Sequence, residues 1–595
     1  MRWTARLKRE GRYLSGLART LARVRSIRAT SKTLICDDLE GAVDRWRDRP
    51  ALSFEGAALT YAELDALANR CAHWALVQGI ERGEAVALFL PNRLEYLPIW
   101  YGLAKVGVAT ALINNQLAGA ALAHCLNVSG AGHCLVDRDT EGALEGARAL
   151  LDRPMQAWSL STPTGERRDL AAAIEAMSDA RPDRSVRAGM TARDTALYIY
   201  TSGTTGLPKA ARITHMRAQL FMRGFAGATG AKAADRLYLT LPLYHSTGGL
   251  CAMGAALLNG GSVALRRGFS ASRFWDEVTA EGATLFAYVG ELCRYLAAQA
   301  VRPAERAHKL RLAFGNGLGA DVWPVFVERF GIPRILEFYG STEGNVSMFN
   351  FDGTPGAIGR VPPYLGGFLN AALARFDVER GAPVRGADGF CVKAAPGEVG
   401  ECLGRIAEGV RTAYSGYLDL AASRSKVLES VFRPGDRWFR TGDLMTRDRD
   451  GCFYFVDRVG DTFRWKGENV STTEVAQRLA TAPGVIDATV YGVKVGRLDG
   501  RAGMAAVVAG PDFDLAGFGR HVAATLAPYA QPLFLRLTAN IETTGTFKHR
   551  KMDLVADGFD PAKVGASLYF REKAGGFVPL TPALHARIET GELRV

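Results

Sequence analysis

No stretch of this 595-residue chain is apolar for long enough to cross a bilayer. The nearest approach, Pro98 to Ile113, is too short and carries Lys105; it reads as a buried helix followed by a strand. The basic N-terminus leads into no uninterrupted apolar region, so no cleavable signal peptide is expected. Nine cysteines include no Cys-x-x-Cys pair. With an odd count and most of them in apolar runs, they read as reduced core thiols of a cytosolic protein, not as disulfides or zinc ligands. Internal repeats and low-complexity tracts are missing too. The net charge is +12, but residues 1–32 hold ten basic side chains against the single acid Glu10, so +9 of it lies in that arm. The body is only mildly basic and has no basic stripe interleaved with aromatics, which argues against a nucleic-acid partner.

What is present divides the chain. At 595 residues it is too long for one core. Residues 1–35 read as a basic amphipathic arm, with Trp3, Leu7, Leu14, Leu17 and Leu21 at helical spacings. Such a helix either lies on an anionic membrane surface or packs back on the protein. From 36 to 459 strand-like and helical stretches alternate, with strands at Glu84–Leu90, Val108–Ile113, His133–Asp137, Ala196–Tyr200, Arg236–Leu241, Ser262–Leu265, Ala283–Val289, Leu310–Phe314 and Arg334–Tyr339. Apolar strands alternating with helices imply parallel sheets covered by helices, an α/β architecture. Within this region, short alternating runs from Phe351 to Asp457 suggest a small β-rich, barrel-like subdomain. Residues 460–595 read as a smaller, mobile α+β domain, with helices at Thr472–Ala480 and Leu515–Leu526 and strands at Ala488–Val495 and Gly503–Val508.

Four motifs carry chemistry. After the strand Ala196–Tyr200, six of the seven residues Thr201, Ser202, Gly203, Thr204, Thr205, Gly206 and Leu207 are Gly, Ser or Thr, and Pro208 and Lys209 follow. Backbone N–H groups, hydroxyls and a cation suit a phosphate chain, although a plain polar hairpin loop has the same composition. It is not a Walker A loop, because Ala210 follows Lys209 and supplies no hydroxyl for a metal. The second motif, Glu337-Phe-Tyr339-Gly340-Ser341-Thr342-Glu343-Gly344, ends a strand, where open α/β sheets place their ligand crevices. Its ring, hydroxyls and carboxylate could stack a base, bind phosphate and hold Mg²⁺. The third is Arg440-Thr-Gly-Asp443, whose carboxylate after a glycine turn suits two ribose hydroxyls. Asp457-Arg458 and Lys466-Gly467-Glu468-Asn469 come after it. The fourth is Thr543-Thr-Gly-Thr-Phe-Lys548-His-Arg-Lys551.

In this order and spacing the motifs resemble those of the acyl-adenylate-forming (AMP-binding) superfamily. Tyr288 to Leu296, residues 463–472, the Thr-Gly-Thr-Phe-Lys string and the tail after Ser567 resemble its fatty acid transport protein branch, which contains long- and very-long-chain acyl-CoA synthetases. Animal members are often drawn with an N-terminal membrane span, and this sequence shows none. The resemblance implies ATP and AMP binding by residues 201–206, Lys209, Gly317, Tyr339, Gly340, Ser341, Thr342, Asp443 and Arg458. It implies Mg²⁺ at Glu343, and catalysis by Lys548, Thr204 and Glu343, with Lys551 as the nearby competitor of Lys548. Tyr244 and His245 would border the acyl substrate, although His245 could equally be a structural histidine. Lys466, Gly467, Glu468 and Asn469 would serve the coenzyme A step. Gly460 stands where most relatives carry the Asp or Lys of a hinge; its free backbone suits a hinge but supplies no salt bridge.

The implied reaction converts a fatty acid, ATP and coenzyme A to acyl-CoA, AMP and diphosphate. An adenylate is needed because a carboxylate offers a thiol no leaving group. Bringing two anions together places most of the burden on electrostatic stabilisation. The expected partners are the fatty acid, coenzyme A and, through the arm, the inner face of a membrane, and a homodimer is compatible with this. Three alternatives stay open: a ligase for a sterol-side-chain or bile-acid carboxylate, loading of a separate carrier-protein thiol, and a lipid-binding or uptake protein with a weak nucleotide site.

Overall fold

The computed structural model describes residues 2–161, 167–201, 207–407, 409, 412–466, 468–496, 498, 500–543, 549–564, 567–572 and 575–593. They form two compact units, Met1–Arg360 with Gly404–Leu428, and Val361–Leu403 with Glu429–Val595.

The first unit holds two large sheets. In one, the strands lie in the order Arg168–Asp169, Gln156–Ser159, His133–Val136, Ala85–Leu88, Ala109–Leu112, Thr195–Thr201 and Lys209–Thr214. Every neighbouring pair is parallel except the last. Ala85–Leu88 and Ala109–Leu112 are buried at every position, the pattern of strands covered on both faces. In the other sheet the order is Ser347–Phe349, Ile335–Gly340, Leu312–Asn316, Leu285–Val289, Arg236–Leu239, Ser262–Leu265, Pro50–Phe54 and Ala57–Thr60, parallel except at the two edges. The helix-and-strand reading of 98–113 holds: all ten residues of the helix Tyr96–Lys105 are buried. All nine cysteines are buried and none forms a disulfide. Among the described residues, no helix is long and apolar enough to cross a membrane.

Lys105 shows how that helix tolerates a charge. Its ammonium donates to Asp65 Oδ1 (2.5 Å) and Asn69 Oδ1 (2.5 Å) and lies 3.3 Å from Glu40 Oε1. A buried cation is stable only when compensated in this way. Replacing Lys105 with Met would take the central cation from Asp65 and Glu40 and leave Asp65 with Arg181, and Glu40 with Arg184 and Arg187. We expect Lys105→Met to lose up to about 3–5 kcal/mol in urea denaturation; a loss below about 1 kcal/mol would show that these arginines compensate by themselves.

The arm is the helix Arg2–Val24, and it packs on the helix His215–Thr229. Tyr13, Thr20 and, just beyond the helix, Ile27 are buried. The Tyr13 hydroxyl donates to the Arg360 carbonyl (2.8 Å), and Arg9 pairs with Asp352 (2.6 Å). Close approach is possible because of Gly227, where a Cβ would fall 2.7 Å from the Thr20 Cα. Leu7 and Leu14 remain exposed, and the side chain of Trp3 lies outside those described.

In the second unit the barrel-like closure expected between 351 and 457 does not form; among the described residues the sheet is open. Ala371–Asp377 pairs with Ala382–Pro383, and Arg437–Arg447 pairs with Cys452–Arg458, both antiparallel. The edge strand Ala382–Pro383 is two residues long and ends in proline, which has no N–H to extend the ladder. The C-terminal part carries a five-stranded sheet in the order Val485–Val493, Ala502–Ala509, Phe534–Thr538, Ser567–Arg571 and Phe577–Pro579. Its helices Thr472–Leu479 and Leu515–Thr525 agree with the sequence reading, whereas its last three strands were not foreseen.

Candidate active site

The phosphate-loop candidate connects two strands of a hairpin. Thr195–Thr201 leads in and Lys209–Thr214 leads out, with Thr201 opposite Lys209. The hairpin and phosphate-loop readings are therefore compatible: the strand Thr195–Thr201, which runs parallel to Ala109–Leu112, ends at Thr201, and the carboxyl ends of such strands are where ligand crevices form. Residues 202–206, including Thr204, lie outside the described residues. Lys209 lies over the ring of Tyr417, 6.0 Å from its centroid. Burial first, then the nearby Glu343 charge, pushes the pKa of the Tyr417 phenol up, and the Thr201 side chain is close enough to act the other way. Tyr417 thus joins the first motif to the second. It reaches them because Tyr417 bridges to Ala211 and Leu418 N–H donates to the Ala210 carbonyl (3.0 Å).

The second motif follows directly from the strand Ile335–Gly340. Tyr339 and Gly340 complete the strand, and Ser341, Thr342 and Glu343 form a turn in which Gly344 N–H donates to Ser341 Oγ (3.0 Å). The Thr342 hydroxyl is 3.0 Å from that of Ser246. Beneath the turn lies Arg217, buried on the helix His215–Thr229. It donates through Nε to the Thr342 carbonyl (2.8 Å) and through Nη2 to the carbonyls of Ser341 (2.9 Å) and Gly344. Burial lowers its pKa to about 10, so it stays charged at neutral pH.

Gly317 has a φ of +90°, a conformation that favours glycine. Its N–H and that of Leu318 donate to the Glu337 carboxyl (3.1 and 2.9 Å), which also accepts from the Tyr288 hydroxyl (2.7 Å). Glu337 is fully buried, and desolvation raises its pKa from 4.5 to about 8. Between those two pH values only the unfolded chain ionises this group, so the folded state binds the extra proton. Stability from this site is full below pH 4.5 and is lost as pH rises towards 8, with a limiting slope of about 1.4 kcal/mol per pH unit. Glu337→Gln cannot ionise, but its NH2 replaces one of the two oxygens that accept these N–H groups, so it loses one acceptor at every pH. We expect its melting temperature relative to the parent protein to be higher at pH 8.5 than at pH 5; equal melting differences at both pH values would rule this out.

The acyl-side candidates lie on the loop 241–246. Asn92 holds that loop, its amide donating to the Leu241 carbonyl (3.0 Å) and its oxygen accepting from Leu243 N–H (2.9 Å). The rings of Tyr244 and His245 are 4.6 Å apart, and the buried Tyr244 hydroxyl has no protein partner among the described residues.

The second unit carries the remaining candidates. Asp443 faces Arg458 across the strand pair, with Oδ1 3.7 Å from Arg458 Nε. Gly460 has a φ of +97°. Lys466, at the tip of the hairpin formed by Phe463–Trp465 and Glu468–Val470, has a φ of +51°, as the turns of two-residue hairpins require. Gly467 lies outside the described residues, and Glu468 and Asn469 begin the return strand. Lys548 also lies outside them; its neighbours Thr543 and His549 form an antiparallel bridge. Lys551 is already engaged, donating to Thr472 Oγ1 (2.7 Å) and lying 3.4 Å from Asp461 Oδ2.

A model of the AMP-binding enzyme family matches residues 39–403. Long-chain fatty acid transport protein 6 of Mus musculus is 39% identical over 568 residues, which cover 94% of this chain and 91% of the relative. The chain belongs to the AMP-binding enzymes, in their fatty acid transport protein branch. Long-chain fatty acid transport protein 3 of Homo sapiens is 42% identical over 520 residues, 86% of this chain and 76% of the relative. Among solved structures, an anthranilate CoA ligase in complex with anthranoyl-AMP superposes with a TM-score of 0.75 at 22% identity, covering 90% of this chain and 98% of the ligase. That likeness shows the fold: a large N-terminal α/β domain and a smaller C-terminal domain. As an AMP-binding enzyme of this branch, the chain is an AMP-forming acyl-CoA ligase.

The magnesium ion that the sequence resemblance implies would call for hard oxygen donors. Mg²⁺ is commonly bound through one or two carboxylates with the remaining positions filled by phosphate and water. Glu343, next to the Thr342 hydroxyl on the same turn, offers such oxygen donors. Among the described residues, no group of three or more His, Cys, Asp or Glu side chains could hold a metal by itself. Sequence reasoning missed Tyr417, Arg217, Ser246 and the carboxyl of Glu337. Only Arg217 left a trace, as a charge among largely buried helix positions.

Proposed function

We propose that this ligase activates long- or very-long-chain fatty acids and transfers them to coenzyme A, and that it works at a membrane surface to which the arm attaches it peripherally. Similarity along nearly the whole chain to proteins named for long-chain fatty acid transport carries the choice of acid. The residues divide the work. Thr201 to Gly206 and Lys209 bind the phosphates, Tyr339 and Gly340 border the base, and Asp443 and Arg458 hold the ribose side. Glu343 holds Mg²⁺, which when bound neutralises phosphate charge. Lys548 adds a cation for the attack of the carboxylate on the α-phosphate. In the second step the Lys466–Asn469 hairpin replaces Lys548 at the site by rotation about Gly460, and the thiol displaces AMP.

The test is AMP release by the purified protein across acids of graded chain length, with a bile acid in competition. Coenzyme A-dependent release restricted to long chains supports the reading. Preference for the bile acid would favour the sterol-type alternative, and pyrophosphate exchange without acyl-CoA would point to a carrier-protein acceptor. The outward face of the arm combines exposed Leu7 and Leu14 with Arg6, Lys8 and Arg12, which supports the membrane reading. Because the opposite face is packed, point variants suit the test better than deletion. Leu7→Glu/Leu14→Glu should lose flotation with anionic vesicles and keep soluble activity.

A further inference from the structure

We infer that Arg217 is a positioning residue for adenylation, a guanidinium clamp that fixes the turn presenting Thr342 and Glu343. It is buried, yet among the described residues it forms no salt bridge with a carboxylate, and its guanidinium donates to three carbonyls of one four-residue turn. A buried charge is costly unless its donors are satisfied, and a planar guanidinium can satisfy several carbonyls at fixed angles where an ammonium cannot. The two hydrogen bonds to Ser341 and Thr342 and the one to Gly344 span both sides of Glu343, so the carboxylate is held by its own backbone from beneath. The segment is also fixed from other directions. Ser246 contacts the Thr342 hydroxyl, and the Asn345 amide donates to the carbonyls of Arg405 (2.9 Å) and Thr412 (3.0 Å). Phe221, one helical turn from Arg217, covers the guanidinium, with its ring centroid 4.9 Å away.

The charge adds a second effect. Glu343 is the strongest charge acting on Arg217. A fixed cation beneath the turn lies where anionic phosphate must approach. Arg217 need not touch the nucleotide for either effect. Clamp and field are preorganised, since the helix His215–Thr229 is anchored by the Thr214 cap and by the arm packed along it.

The test compares Arg217→Lys and Arg217→Met with the parent protein by ATP–pyrophosphate exchange, with folded protein measured by thermal melting. A misplacement of about 1 Å at such a turn costs on the order of 100-fold in rate. We expect both variants to lose about that much kcat per folded molecule, with KM for the fatty acid changed less than about threefold. Arg217→Ala, which opens a guanidinium-sized space, should regain exchange on addition of guanidinium ion at concentrations below those that unfold it. Full exchange per folded molecule in Arg217→Lys, or a loss wholly accounted for by unfolded protein, would overturn the proposal. If Arg217→Met does not fold, Arg217→Lys and the rescue experiment decide it. Absence of exchange in the parent protein would instead be a failure of the adenylation reading.

Discussion

Lys548→Ala is expected to lose acyl-adenylate formation by about three orders of magnitude while retaining thioester formation from supplied acyl-adenylate. The reasoning is electrostatic. In the first half-reaction a carboxylate approaches a phosphate that is already anionic, and the rate depends on cations placed where charge gathers; removing one such group costs roughly 100- to 1,000-fold. In the second half-reaction a neutral or thiolate sulfur attacks a carbonyl and AMP departs, so the same lysine has no comparable role. Lys551 is the control. Its ammonium is held by Thr472 and Asp461, so Lys551→Ala should loosen the start of the C-terminal part and lower the melting temperature, with a smaller effect on exchange. Measured by ATP–pyrophosphate exchange and by conversion of synthetic acyl-adenylate, equal loss of both half-reactions in Lys548→Ala would refute the assignment. A reversed ranking of the two lysines would transfer the role to Lys551.

Glu343→Gln is the second large effect. Glutamine fills nearly the same volume, but it carries no charge to hold Mg²⁺ against water. Pyrophosphate exchange should fall by roughly 100- to 1,000-fold, and the magnesium concentration for half-maximal rate should rise. Calorimetric titration with MgATP gives a readout independent of turnover and should show weaker binding. Tyr417→Phe supplies the comparison: it removes the hydroxyl that neighbours Glu343 and Thr201 while keeping the ring beneath Lys209, and a milder loss is expected. Unchanged magnesium dependence in Glu343→Gln would mean that another group holds the metal.

The central strands of the two large sheets were legible because each is a short apolar run bounded by turn residues, and boundaries shifted by only a few positions, as at Leu312–Asn316. Pro50–Phe54, Ala57–Thr60, Gln156–Ser159, Arg168–Asp169 and Ser347–Phe349, at or next to the sheet edges, were not read as strands. Lys209–Thr214 was not read as a strand because its polar ends and the exposed Arg212 break the apolar pattern; pairing with Thr195–Thr201 supplies the stability that the pattern lacks. The last three strands of the C-terminal sheet were missed for a related reason. Phe534–Thr538 and Ser567–Arg571 alternate only weakly, and they are fixed by neighbours distant in sequence. The barrel-like expectation failed at an edge, where a two-residue strand ending in proline leaves the sheet open. The arm had two readings, membrane helix or packed helix. The structure shows a face packed through Tyr13, Gly16 and Thr20, while leaving Leu7 and Leu14 outward.

The phosphate loop, the Tyr339–Glu343 motif, Asp443 and the lysines near 548 belong to short segments whose residue types announce their chemistry, so their order along the chain determined the superfamily and the reaction class. Which side chains meet was decided by the tertiary structure. Tyr417 reaches Thr201 and Glu343 only because its segment pairs with the strand after the phosphate loop, and Arg217 reaches the turn at 341–344 only because its helix runs beneath that turn. Neither residue stands in a pattern of its own. A motif records local backbone needs and donor chemistry, whereas the contacts that aim it come from packing between segments distant in sequence, and no local period encodes those.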